Sequence, residues 1–442
     1  MNFLQAFRLG TASRVALAGS GGKTTAMFTV AREYPGPVIV TATAHMAIEQ
    51  LTLADQQVVV EDALPAVWSL PPGVTLFTGP PNNSGKMTGL NRVALHSVLA
   101  VATQYSAPLF VEADGSRSLP LKAPAEHEPP IPEFVDTVLY VAGLSGLGHP
   151  LNAEHVHRPE RYASLSGLGQ GDIITPEAIA QVMCDPSGGL KNIPAQARRI
   201  AVLNQADTPE LQAQARIIAQ RLLPAYHAVA ITALKYQQIF AVQEPTAGVI
   251  LAAGASTRMG QPKPLLLWRG EPFIRHVART ALGAGLSPVV IVAGEHTSEV
   301  RAAVADMPVG VIHNPDWAAG QSTSVRRGLL ALPDTIGSAI FLLADQPHIP
   351  IELVTALKDQ HAQAFNPIVA PLIDGRRGNP VLFDRVTFAD MQALSGDVGG
   401  RAVFARHSIA YVPWLDATLL LDVDTPDDYQ RLLGSLRAGD DD

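Results

Sequence analysis

Short runs of four to eight apolar residues recur along the whole chain. Each is followed by small or glycine-rich residues and then by a longer mixed stretch. Val15–Ala18, Val38–Val40, Leu109–Val111, Val138–Val141 and Ile200–Leu203 are such runs in the first half. Gly248–Ala252, Val289–Val292 and Ala339–Leu343 are such runs in the second. A strand buried on both faces reads as an unbroken apolar run, because neither side of its pleat meets water. The mixed stretches between the runs read as helices that cover the strands. The pattern predicts an α/β fold throughout, with mainly parallel sheets and no short internal repeat.

The pattern breaks at Glu244-Pro245-Thr246. A helical stretch rich in Ala and Leu is expected to end before this point, and a fresh strand-turn signal starts at Gly248. Each half carries its own glycine turn near its beginning. Two fused domains are therefore expected, 1–243 and 246–442, with a further boundary near Ile131 only weakly signalled. The total of 442 residues also exceeds what one ordinary core organises.

Composition narrows the class. With 47% hydrophobic and 16% charged residues the chain is globular and not disordered. A net charge of -8 without Lys or Arg runs argues against nucleic acid as a partner. One cysteine, Cys184, excludes an internal disulfide and fits a reducing compartment. The first residues lack the apolar core of a secretory signal, and no run of 18 apolar residues is present to span a membrane. A cytoplasmic protein is expected.

Residues 248–263 read GVILAAGASTRMGQPK. The run Gly248–Ala252 enters the turn Ala253-Gly254-Ala255-Ser256, whose small side chains allow a phosphate to approach backbone N–H groups, with Leu251, Ala252, Ala253 and Gly254 as candidate nucleotide-binding residues. Arg258 and Lys263 follow as fixed cations. Arg can fork across two phosphate oxygens, and Lys supplies a point charge at the reacting phosphate. Asp345 follows the apolar run Ala339–Leu343 and is a candidate Mg2+ ligand, since Mg2+ prefers oxygen donors. Asp345 could instead cap a helix, because Pro347 comes just after it.

The spacing G-x-S-x-R-M-G-x-x-K resembles the signature of the MobA-like NTP transferase family, over nearly all of residues 247–435. The resemblance implies a Rossmann-like, mostly parallel sheet with nucleotide at the strand C-termini. It also implies base-proximal contacts at Gly320-Gln321-Ser322-Thr323-Ser324-Val325, to which Asn314-Pro315-Asp316-Trp317 leads, with Ser324 among the nucleotide-binding residues. Asp424 matches the position that completes the metal site, with Asp422 as the weaker alternative and helix capping before Thr425-Pro426 as a rival role. Gly378, Asn379, Asp397 and Arg401 are candidates for holding the acceptor, although Arg376–Pro380 also has the composition of a plain polar turn.

Within that family, Leu251-Ala252-Ala253-Gly254, the Asp345-Gln346-Pro347 triplet and the Arg377-Gly378-Asn379-Pro380 turn are similar to the MocA-like cytidylyltransferases. Gly400 departs from the group's more frequent Ala. The similarity implies CTP as donor and the phosphate of molybdopterin as acceptor. GTP or ATP as donor, or a sugar phosphate as acceptor, are the alternatives. A phosphate acceptor is already anionic at neutral pH, so transfer needs positioning more than a base.

The first half carries a second glycine turn, Gly19-Ser20-Gly21-Gly22-Lys23-Thr24-Thr25, between an apolar run and a helical pattern. Gly19, Gly21 and Gly22 suit a phosphate cradle, Lys23 the β- and γ-phosphates, and the Thr24 hydroxyl Mg2+. The spacing departs from the usual P-loop, with Leu17 where the first glycine would stand, and is similar to the shorter loop of Mur ligases. Glu112 and Asp114 end a second apolar run. Asn204-Gln205-Ala206-Asp207 resembles a base-reading motif, with Gln205 in place of its Lys. This series, with VEADGSR, Lys122 and His155–Glu160, resembles the YqeC-type accessory proteins of selenium-dependent hydroxylases over roughly residues 5–240. That likeness implies a link to molybdenum hydroxylase maturation, with a hydroxylase apoenzyme as partner, but fixes no reaction; the loop itself predicts ATP or GTP bound through Lys23 and Thr24. A nucleotide-switched insertion chaperone is the non-enzymatic alternative. His149, His155 and His157 lie close in sequence, where a surface or capping role competes with metal binding.

Overall fold

The computed structural model describes residues 1–65, 68–254, 259–396 and 399–435. Ala255 and Ser256 of the glycine turn in the second half, Arg258 and Asp397 lie outside the described residues. The chain divides into two units, Met1–Gln243 and Glu244–Asp442.

The first unit is built on nine strands: β1 Arg14–Gly19, β2 Val38–Ala42, β3 Gln56–Val59, β4 Val74–Thr78, β5 Leu109–Glu112, β6 Thr137–Gly143, β7 Arg198–Asn204, β8 Ala228–Ala233 and β9 Gln238–Gln243. Their order across the sheet is β9-β8-β7-β6-β1-β5-β2-β4-β3. All pairs are parallel except β8 with β9. β1 lies between β5 and β6, with Val15 opposite both Phe110 and Thr137. β2, β4 and β6 are buried along their whole length, which is why their sequences show no polar alternation. Ile131 falls inside this unit, because β6 beyond it pairs with β1 before it. The Ala- and Leu-rich helix Pro209–Leu222 does not run up to the join. Residues 228–243 form β8 and β9 instead. The six residues of β8 are all buried in the sheet, and burial between layers overrides the helical propensity of alanine.

The second unit has a mixed sheet of eight strands: β10 Thr246–Ala252, β11 Val289–Ala293, β12 Gly310–His313, β13 Ser338–Leu343, β14 Ile368–Ile373, β15 Arg376–Arg377, β16 Val381–Asp384 and β17 Ile409–Pro413. The order is β12-β11-β10-β13-β16-β14-β15, with β17 beside β14. β12 to β13 are mutually parallel, and β16 runs antiparallel between β13 and β14. Alternate residues of β10 feed two cores. Ile250 packs with Ile291, Ile340 and Leu342 beneath the helices Phe273–Gly283 and Ile351–Ala364. Val249 packs with Phe341, Phe383 and Val325 beneath the helix Gln321–Leu330. Strand order reverses at β10, since β11 lies on one side and β13 on the other. A crevice outside the C-terminal strand ends is expected at such a point. No helix among the described residues is long and apolar enough to cross a membrane.

Candidate functional site

A cavity of about 620 Å³ opens at the C-terminal ends of β10 and β13. One wall is the segment Leu251–Gly254, the last two residues of β10 and the two that follow it. Another is the segment Trp317–Gly320 and the start of the helix Gln321–Leu330, with Gln321 and Ser324 facing the space. The third carries the charged groups Lys263, Asp345 and Asp424. A helix N-terminus and a small-residue turn facing one space favour an anion there.

The wall around Ser324 is held by Asn314, which is fully buried. Its amide nitrogen donates to Thr323 Oγ1 at 2.8 Å and to Ser324 Oγ at 3.0 Å, and its carbonyl oxygen accepts from the Asp316 N–H at 3.1 Å. Thr323 Oγ1 donates in turn to the Gly320 carbonyl at 2.8 Å. Gly320 has φ 113°, where an L side chain is strained, so a glycine makes the sharp entry into the helix. Trp317 covers Gly294 so closely that a Cβ there would lie 2.9 Å from the indole.

Lys263 joins the two candidate metal ligands. Its Nζ lies 2.5 Å from Asp424 Oδ1 and 3.4 Å from Asp345 Oδ2. Burial works to lower the pKa of this ammonium, but hydrogen bonding to Asp424 and the charges of Asp345 and Asp424 outweigh it and raise it. Burial pushes the Asp345 carboxyl up, against the pull of Lys263, and the charge of Asp422 adds to the rise. The capping alternatives do not hold. The helix after Asp345 starts only at Ile351, with Pro350 before it. At the helix Pro426–Ser435, Thr425 and Asp428 cap each other: Thr425 Oγ1 accepts from the Asp428 N–H at 3.3 Å, and Asp428 Oδ2 accepts from the Thr425 N–H at 3.0 Å. Asp424 is left to face the cavity.

Leu251, Ala252, Ala253, Gly254, Lys263, Ser324, Asp345 and Asp424 thus meet at one cavity. The acceptor candidates Gly378, Asn379 and Arg401 do not join its described lining. Gly378 and Asn379 sit in the turn between β15 and β16, where the Gly378 N–H donates to the Pro371 carbonyl at 3.1 Å. Arg401 is exposed in the short helical turn Gly400–Ala405. Gln321, from the expected base-proximal segment, and Trp317, from the segment leading to it, line the cavity together with Pro264, for which the sequence carries no signal. Trp317 had a signal, an aromatic residue in a polar segment between a strand and a helix. Among the described residues no group of three His, Cys, Asp or Glu is placed to hold a metal. Two carboxylates already sharing one cation are nevertheless a suitable donor set for an ion that keeps water and phosphate oxygens as its other ligands.

In the first unit, Gly19–Gly22 lead from β1 into the helix Lys23–Ala31, and all three glycines have positive φ. A Cβ on Gly21 would overlap the Gly143 backbone. Lys23 is buried, donates to the Gly19 carbonyl at 2.8 Å and lies 3.3 Å from Asp114 Oδ1. Thr24 Oγ1 donates to Glu112 Oε2 at 2.9 Å. Burial pushes the Glu112 carboxyl up despite the charge of Lys23. Charges then alternate away from the loop. Lys122 Nζ donates to Asp114 Oδ2 at 2.7 Å, to Glu128 Oε2 at 2.9 Å and to the Gly115 carbonyl at 2.8 Å. Arg158 forks onto both Glu128 oxygens at 2.8 Å.

Asn204 reaches this loop too, but as a brace. Its Nδ2 donates to the Gly21 carbonyl at 2.7 Å, and its Oδ1 accepts from the Leu234 N–H at 2.9 Å. Asp207 is exposed, ahead of the helix Pro209–Leu222 that Thr208 caps. The rings of His149 and His155 stack with centroids 4.3 Å apart. Burial, with the charges of Arg158 and Lys122, holds the third histidine of that group, His157, at about 4.

Residues 248–411 match the MobA-like NTP transferase domain, and residues 15–160 match the YqeC protein family. Nicotine blue oxidoreductase of Paenarthrobacter nicotinovorans is 34% identical over 201 residues, covering 42% of this chain and 95% of that protein. The protein YqeC of Escherichia coli is 32% identical over 196 residues, covering 43% of this chain and 75% of that one. The molybdenum cofactor cytidylyltransferase of Escherichia coli is 29% identical over 186 residues, covering 41% of this chain and 92% of that enzyme.

Proposed function

This chain belongs to the MobA-like NTP transferase family in its second half and to the YqeC family in its first, and on that basis we propose that the second unit transfers CMP from CTP to molybdopterin. A phosphate oxygen of the acceptor attacks the α-phosphorus of CTP, the bond to the bridging oxygen breaks, and pyrophosphate leaves. The observation that carries the reading is the convergence of Asp345 and Asp424 on the Lys263 ammonium, 3.4 and 2.5 Å away, at the rim of the cavity formed by Leu251–Gly254.

The segment Leu251–Gly254 and the helix start at Gln321 supply N–H groups for the triphosphate, and Ser324 a hydroxyl near the base. Lys263 neutralises phosphate charge, and Arg258 is assigned the same task. Asp345 and Asp424 would hold Mg2+, which neutralises charge on the phosphate oxygens when bound. Gly378, Asn379, Asp397 and Arg401 are assigned to the acceptor. The first unit is a P-loop-like NTP-binding module in this reading, with ATP or GTP on Gly19–Thr24 through Lys23 and Thr24, and Asp114 and Asp207 beside the nucleotide. Its partner is a molybdenum hydroxylase apoenzyme.

The test is transfer of label from α-labelled CTP, GTP, ATP and UTP to molybdopterin by the full chain. Labelled dinucleotide from CTP with release of pyrophosphate is expected, and Asp345→Ala should abolish it without loss of fold. Transfer only to a sugar phosphate, or full activity in Asp345→Ala, would overturn the reading. The 34% identity to nicotine blue oxidoreductase favours a redox reaction as the second reading. Redox turnover without pyrophosphate release would establish that one instead.

A further inference from the structure

The loop that carries Asp424 is tied to the turn that carries Asp345 by one buried amide. Gln346, next in sequence to Asp345, is 2% exposed. Its Nε2 donates to Asp422 Oδ1 at 2.5 Å. The 422–424 segment is itself a tight turn, with the Asp424 N–H donating to the Asp422 carbonyl at 3.1 Å. Between the two aspartates Val423 is fully buried, among Met259, Trp268, Phe273 and Leu432. The loop is thus anchored by Val423 beneath and by Asp422 at its side. Asp424 is half-buried, with its side chain 49% accessible, and Asp422 is the more exposed of the two. In the structure described, Lys263 also bridges Asp345 and Asp424. A triphosphate that draws the Lys263 ammonium onto its own oxygens removes that bridge, while the Gln346 amide still ties the two ligand segments.

We infer that Gln346 is a positioning residue that acts through Asp422 to keep Asp424 opposite Asp345 at the spacing one divalent cation requires. The inference rests on the metal roles of Asp345 and Asp424 proposed above. Groups that orient a metal ligand from behind typically cost about 10–100-fold in metal affinity when removed. The amide orientation follows from charge: an oxygen facing the Asp422 carboxylate would be repelled, so the NH2 end faces it.

The experiment is a Mn2+ titration of the full chain, read by calorimetry and by electron paramagnetic resonance. Gln346→Leu is expected to weaken Mn2+ binding about tenfold or more. In an Asp424→Ala background the same substitution should cost nothing further, because the ligand it positions is gone. Transfer by Gln346→Leu should be lost at low metal and recover as Mn2+ is raised, which a general packing defect would not do. Asp422→Ala approaches the contact from the other end and should weaken binding equally, with no added loss in the double variant Gln346→Leu/Asp422→Ala. Asp422→Asn keeps an acceptor oxygen and should retain most of the affinity. An equal loss in the wild-type and Asp424→Ala backgrounds, or unchanged affinity in both Gln346→Leu and Asp422→Ala, would overturn the inference. Failure of the underlying reading looks different: Asp424→Ala alone would then leave Mn2+ affinity unchanged.

Discussion

Replacing Lys122 by Met removes an ammonium from the middle of the alternating charge series while keeping most of its apolar stem. Lys122 is 3% exposed and contacts Asp114, itself 2% exposed. It donates to Asp114 at 2.7 Å, to Glu128 at 2.9 Å and to the Gly115 carbonyl. Removing one member of a buried pair costs about 3–5 kcal/mol, because the other charge stays buried without compensation. Here Asp114 keeps Lys23 at 3.3 Å and Glu128 keeps Arg158 at 2.8 Å, so the cost belongs near the lower end, about 3 kcal/mol. For a unit of this size each kcal/mol moves the midpoint by about 2–4 °C, which gives a fall of about 6–12 °C. Calorimetry of the full chain, fitted without assuming a single transition, measures it. Asp114→Asn is the control: with the buried carboxylate gone, the further cost of Lys122→Met should shrink to about that of one hydrogen bond, ~1 kcal/mol. An exposed bridge would contribute only about 0–1 kcal/mol. A drop below about 2 °C in Lys122→Met would therefore refute a buried, interdependent series.

Lys23→Ala is expected to abolish binding of ATP and GTP to the first unit, and unchanged binding by equilibrium dialysis would remove the loop from nucleotide recognition. Burial alone would raise the Glu128 carboxyl, but hydrogen bonds from Arg158 and the charge of Lys122 hold it at about 2. The unfolded chain then takes up that proton first, so the stability from Glu128 is complete above roughly pH 5 and drains away as pH falls toward 2. Glu128→Gln should flatten that acid limb in urea midpoints measured against pH, and an unaltered slope would contradict the pairing. Asn314→Ala removes three hydrogen bonds behind the cavity wall, at roughly 0.5–1.5 kcal/mol each. It should lower stability by about 2 kcal/mol and raise the KM for the nucleotide, with kcat affected less. An unchanged KM would mean that Ser324 does not depend on its brace.

The sequence by itself determined the α/β class, the main buried strands and the two glycine turns. A strand covered on both faces must be apolar at successive positions, and a turn that admits phosphate must be built of small residues. Both demands are local and leave a local trace. The chain's own order could not show whether Asp345 and Asp424 cap a helix. That turned on where the next helix starts and on Thr425 and Asp428 satisfying its cap. Nor could it show that Asn204 braces the Gly21 loop, that Glu128 and Arg158 extend the charges of Lys122, or that in the second unit Asn314 backs Ser324 and Gln346 reaches Asp422. Lone polar residues in loops carry no periodicity. Their partners are fixed only when the fold brings separate segments together and burial makes an unmet hydrogen bond or charge costly. The short antiparallel strands β9 and β16 belong to the same class, because the direction in which a strand joins a sheet depends on the path of the chain and not on its own residues.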